Sequence, residues 1–81
     1  MYPIEVQELI EKGLPGAQAI VKSDDQTHFE AVIICADFAG KTRVKQHQMV
    51  YATLGTHLES DIHALSLHTY TPEQYQNQSH G

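Results

Sequence analysis

Apolar residues recur at helical spacing near the start of the chain. Val6, Leu9, Ile10 and Leu14 fall on one side, and Glu5, Glu8, Glu11 and Lys12 lie off it, which predicts a helix over residues 3–14. Pro3 suits its first turn, where a missing N–H costs nothing. Pro15-Gly16 stops it. Ala17 to Lys22 reads as a short strand, Ser23-Asp24-Asp25-Gln26 as a polar turn, and Thr27 to Cys35 as a strand rich in branched and aromatic residues. The near-continuous apolar centre of that strand places it mid-sheet, and the short turn makes the two strands an antiparallel hairpin.

Asp37-Phe38-Ala39-Gly40 breaks the pattern. A longer helix follows from Thr42 to Leu58, with Val44, His47, Val50, Tyr51, Leu54 and Leu58 on its apolar face and Lys45, Gln46 and Met49 off it. Ile62 to Tyr70 alternates as a third strand, with His63, Leu65, Leu67 and Thr69 on one side and Ala64, Ser66, His68 and Tyr70 on the other. Thr71-Pro72-Glu73-Gln74 has the form of a capping box with proline at the first helical position. A short helix should start there, with a polar tail from Gln76 to Gly81 that frays and residues 1–75 forming the domain.

The order is thus helix, strand, strand, helix, strand, helix. A helical crossover between the second and third strands favours pairing them in parallel with a right-handed connection. The fold class is α+β, a three-stranded mixed sheet with helices on one face.

At 81 residues the chain holds one modest core and lacks the layers around a deep cleft. Its apolar fraction of 41% suits a globular protein. No run approaches the roughly 18 apolar residues of a membrane span, and the first residues lack a signal peptide's basic start. One cysteine, Cys35, excludes an internal disulfide, so a reducing, cytoplasmic setting is expected, with the thiol buried. Ten acidic against five basic residues oppose generic nucleic-acid binding, yet Lys41, Arg43 and Lys45 gather three of the five cations within five positions. These cations at a helix start suit an anion. The competing reading is a solvated charged turn. No acid/base pair, phosphate loop or nucleophile motif points to an enzyme.

Three segments carry a resemblance: Phe38-x-Gly40-Lys41, Lys45-Gln46-His47-Gln48-Met49-Val50-Tyr51, and His63-Ala64-Leu65-Ser66-Leu67 with Tyr70-Thr71-Pro72-Glu73. In this order and at these separations the chain resembles the BolA family over nearly its whole length. The resemblance implies a fold related to the type II KH domain. It also implies a monothiol glutaredoxin partner and a shared [2Fe-2S] cluster, with glutathione and a glutaredoxin cysteine as the other ligands and no cluster in the isolated chain. The family's principal ligand matches His63. Some bacterial members are described as DNA-binding transcriptional regulators of cell shape and stress responses.

The chain departs from the family in the loop Ser23-Asp24-Asp25-Gln26-Thr27, which lacks the extra histidine or cysteine of longer-looped members. His28 is nearest in position and is the candidate additional metal contact, although it matches a strand residue of the family. A neutral imidazole can replace a thiolate on such a cluster. His47, mid-face on the long helix, reads as a packed residue whose ring nitrogens find partners. His68 reads as a surface or partner contact, alongside Lys41, Arg43 and Lys45 as candidate nucleic-acid or partner contacts. A mononuclear zinc site from His28, His47, His63 and His68 is disfavoured, because alternation separates His63 from His68 and cysteine ligands are lacking. The Gly40-Lys41-Thr42-Arg43 turn lacks the second glycine of a KH nucleic-acid clamp. Tyr51 is expected in the core, while Tyr70 and Tyr75 cover the sheet end or form a partner surface.

Overall fold

The computed structural model of the chain describes residues 1–60, 62 and 64–78. Helix α1 (Pro3–Gly13) begins with Pro3 at its first position, and the Tyr2 N–H donates to Glu5 Oε1 at 2.8 Å. Its Val6 and Ile10 are fully buried. The chain turns at Gly16, whose φ of +88° lies where only glycine rests without strain. Strands β1 (Gln18–Lys22) and β2 (His28–Ile34) then pair antiparallel, with Ile20 opposite Val32. A 3-10 turn (Ala36–Phe38) leads to helix α2 (Arg43–Leu54), capped by Thr42 Oγ1, which accepts from the Lys45 N–H at 3.1 Å.

A single turn, α3 (His57–Ser60), separates α2 from strand β3 (Ala64–Tyr70). The expected helix to Leu58 is therefore broken. Gly55 sits at φ +54° and ends α2 with its N–H on Tyr51 O. Strand β3 pairs in parallel with β2, giving the order β1-β2-β3 with β2 central. Helix α4 (Pro72–Gln78) starts in the expected box: Gln74 N–H donates to Thr71 Oγ1 and Thr71 N–H to Gln74 Oε1. It runs on through Gln78, so residues 76–78, expected to fray, are helical.

One face of the sheet carries the core. Ala19, Phe29, Ala31 and Ile33 pack with Val6, Ile10, Phe38, Val50 and Leu54 from the helical layer, and Cys35 is buried among them. Burying each of the larger apolar side chains contributes on the order of 1.5–3 kcal/mol. Helices α1 and α2 approach closely where Gly13 meets Thr53: a Cβ on Gly13 would lie 2.6 Å from Thr53 Cγ2.

The buried face of α2 differs from the periodic expectation. Val44 is 68% and Tyr51 38% exposed, whereas Gln46 is buried with Val50 and Leu54. Gln46 Nε2 donates to Phe38 O (3.0 Å) and Lys41 O (3.1 Å), and Thr69 Oγ1 donates to Gln46 Oε1 at 2.6 Å. The Phe38–Lys41 turn presents Lys41 O, which must be satisfied, and a glutamine facing inward satisfies it while adding a second donor to Phe38 O, which already accepts from the Lys41 N–H at 3.1 Å. That requirement rotates the helix away from its most apolar setting.

Candidate functional site

Two regions carry the candidate residues, at opposite ends of β3. Seven residues from Ala64 to Tyr70 separate them by about 20 Å.

The first region is the turn that delivers β2. Gln26 takes φ +66°, and Ser23 Oγ accepts from the Gln26 N–H while donating to His28 O at 2.7 Å. Asp25 Oδ1 accepts from the N–H groups of Thr27 (3.0 Å) and His28 (2.8 Å). Its other oxygen, Oδ2, lies 2.6 Å from His28 Nδ1. These backbone donors, with the His28 ring, hold the Asp25 carboxyl well below the usual carboxylate range. The carboxylate thereby fixes the imidazole through Nδ1, the arrangement that orients metal-ligating histidines. Both side chains are more than half exposed. His28 lies level with Ala64 in the parallel register, and the Ala64 N–H donates to Thr27 O. His63 immediately precedes Ala64 in sequence and lies outside the described residues. An open cavity of about 330 Å³, lined by Lys22, Ser23, Asp24, His28, Glu30 and Ser66 among others, adjoins this end. Among the described residues no three His, Cys, Asp or Glu side chains are placed to hold a metal ion together. A metal here therefore needs donors beyond the described residues of this chain.

The second region begins at the start of α2. The basic run of the sequence does not form one patch. Lys41 Nζ donates to Asp37 O at 2.5 Å. Arg43 and Lys45, two positions apart on a helix, point to different sides. Arg43 turns toward β3 and lines two cavities. One, of about 340 Å³, is shared with Gln46, Thr69, Tyr70, Gln74 and Gln78. The other, of about 330 Å³, is shared with His47, Leu67, His68, Thr69 and Tyr70. His68, on the exposed side of β3, has Nε2 3.7 Å from Glu30 Oε1. Tyr70 and Tyr75 meet at 5.8 Å between ring centroids with their planes tilted by 55°, joining α4 to this end of the sheet.

His47 corrects an expectation. Its ring meets the Tyr51 ring edge-on at 6.5 Å, but its buried Nε2 has no hydrogen-bond partner among the described residues. Burial, then Arg43, then His68 push its pKa below the usual histidine value. Sequence reasoning also missed Gln46 and Asp25. The signal for Asp25 was an acidic residue two or three positions before strand N–H groups, which is where an Asx turn captures them.

Comparison with known proteins agrees with this architecture. A profile of BolA-like protein matches residues 10–74. The "DNA-binding transcriptional regulator BolA" of Haemophilus influenzae is 43% identical over 54 residues, covering 67% of this chain and 52% of that protein. The chain spans about half the length of the curated relatives it matches most strongly. Among solved structures, a bolA protein homologue from Coxiella burnetii superposes with a TM-score of 0.86 at 45% identity, covering 94% of this chain and 97% of that one. The BolA domain of SufE1 from Arabidopsis thaliana gives 0.76 at 33% identity, covering 88% and 92%. With the profile spanning both the hairpin turn and the Arg43 groove, the chain belongs to the BolA family.

Proposed function

We propose that this protein is a non-enzymatic partner in iron–sulfur trafficking. It binds a monothiol glutaredoxin and shares a [2Fe-2S] cluster with it. His63 is the principal ligand and His28 the additional contact; glutathione and a glutaredoxin cysteine complete the set. The observation that carries this reading is the Asp25–His28 pair, 2.6 Å apart and level with the residue that follows His63. Asp25 engages Nδ1 of His28, so iron would meet that ring through Nε2. When bound, the cluster is cargo in transit between proteins. This chain's part is to offer neutral imidazole at an exposed sheet end and to replace a ligand of the glutaredoxin-only complex. Imidazole must be deprotonated to bind, so formation of the mixed complex weakens in acid. The occurrence of a BolA domain joined to SufE1 supports a module that works with other proteins.

The test is an anaerobic titration of cluster-loaded monothiol glutaredoxin, followed by visible absorption and circular dichroism. Wild type should give new complex-specific bands, His63→Ala should not, and His28→Ala should shift them. Identical spectra for all three would remove these histidines from the role.

A second reading has its own observation. The relatives named as DNA-binding regulators, and the Arg43 groove beside the exposed β3, favour contact with DNA through Arg43 and His68, with Lys41 and Lys45 outside that groove. Such binding should weaken steeply with salt, and neutralising Arg43 should reduce the salt slope by about one, more than neutralising Lys45. Absence of binding at low salt would discard it.

A further inference from the structure

The groove beside Arg43 contains a group that neither reading uses. His47 lies one turn beyond Arg43 on α2. Its Nε2 is buried, has no hydrogen-bond partner among the described residues, and belongs to a side chain lining the cavity of about 330 Å³. The far wall of that cavity is β3, an edge strand. In the parallel register Ala64 donates to Thr27 O, and Tyr70 O accepts from the Cys35 N–H, so the even-numbered residues face β2. Alternation turns the backbone N–H and C=O groups of Leu67 and Thr69 to the open side, where both residues line the same cavity.

Arg43, His47 and His68 and the open edge of β3 at Leu67 and Thr69 thus line one cavity from a helix and a strand. Among the described residues no carboxylate lines the cavity. Among the described residues the groups facing His47 are Arg43 and Tyr51 on its own helix and His68 and Tyr70 across the cavity, with Glu30 beside His68. We propose that this cavity is a subsite for a tetrahedral phosphate-type anion, and that the anion is bound together with a proton taken from solvent onto the His47 ring.

The physical reason is the sign of the surroundings. Without an anion, burial and the neighbouring cations disfavour charge on His47. An anion placed among these groups offsets the cations and gives the ring N–H an acceptor. By reciprocity, a ligand that favours the protonated ring binds more tightly when the ring is protonated. A fork-shaped guanidinium with donors from two further directions suits a tetrahedral oxyanion. The cavity is larger than one phosphate group, leaving room for an ester substituent.

Sulfate is the probe, because its charge does not change across the histidine titration range. The ring protons of His47 are followed by NMR through a pH series with and without sulfate. The expected result is an upward shift of the His47 titration by about one unit, equivalent to about tenfold tighter sulfate binding at the acid end. His47→Gln should reduce the pH dependence of binding to the part that His68 supplies, and Arg43→Gln should weaken binding at every pH. His68→Gln should leave the His47 shift in place. A His47 titration unmoved by saturating sulfate, or an equal pH dependence in His47→Gln, overturns the proposal. A single-stranded oligonucleotide and inorganic phosphate are then compared at equal phosphate. A stronger effect from the oligonucleotide assigns the subsite to nucleic-acid backbone, and an equal or weaker one to a small phosphate compound. No iron or glutaredoxin enters the experiment, so its failure leaves the cluster reading untouched.

Discussion

Replacing Gln46 by leucine probes the joint between α2 and the turn that presents the basic residues. Leucine keeps the approximate volume and adds apolar surface, but it removes three hydrogen bonds: those to Phe38 O, Lys41 O and from Thr69 Oγ1. Leaving a buried polar group unsatisfied costs about 1–3 kcal/mol. Phe38 O keeps its bond from the Lys41 N–H, and the other two bonds are partly buried, so all three losses belong at the low end of that range. The greater apolarity of leucine offsets about 1 kcal/mol, so the net loss is about 2–3 kcal/mol. A domain of this length has a stability of roughly 4–12 kcal/mol, so the loss is a large share of it. With a urea slope near the small-protein minimum of about 1 kcal/mol/M, the midpoint should fall by about 2–3 M. Urea unfolding followed by far-ultraviolet circular dichroism measures it. A midpoint within about 0.5 M of wild type would show that the glutamine is not holding the turn. Gln46→Glu should be worse at neutral pH, because a carboxylate cannot donate to either carbonyl, and should recover when protonated.

Other substitutions test other joints. Gly13→Ala places a methyl 2.6 Å from Thr53 Cγ2, and overpacking of this kind costs about 1–3 kcal/mol, more than the helix-propensity gain of the substitution, so thermal unfolding should shift downward. His47 has a depressed pKa in the folded chain, so the unfolded chain binds the proton first. Stability should therefore be full above the usual histidine value and decline as pH falls below it, and His47→Gln should flatten that slope in urea titrations between about pH 7 and 5. Asp25 has a lowered carboxyl pKa, so its bonds to the turn persist to well below the usual carboxylate range and are lost only in strong acid. Asp25→Ala should loosen His28, seen as faster amide exchange at Thr27 and His28 with the rest of the sheet unchanged.

The fold was largely legible because its signals are local. Proline and glycine bound α1, the Thr71–Gln74 box starts α4, and branched residues mark β2 as the central strand, buried on the face that Phe29, Ala31 and Ile33 share. Two features depend on tertiary accounting instead. The rotation of α2 goes with the bonds that Gln46 makes to a neighbouring turn and to Thr69, which no hydrophobic periodicity records; hence Gln46 is buried and Tyr51 exposed. The break after Leu54 rests on one residue, Gly55, in a left-handed conformation within an otherwise helical pattern. At the candidate site, His28 and Arg43 were readable as residue types. Their settings were not: the Asp25 clamp is a short polar contact, and the Arg43–His47 cavity joins residues more than 20 positions apart.

The most direct measurement is size-exclusion chromatography of the anaerobic mixture with cluster-loaded glutaredoxin, with iron, sulfide and each protein quantified across the peak. The account predicts a mixed complex holding one [2Fe-2S] cluster with wild type, and free chain beside a glutaredoxin-only cluster with His63→Ala. Iron that stays entirely with glutaredoxin in the presence of the wild-type chain would contradict it.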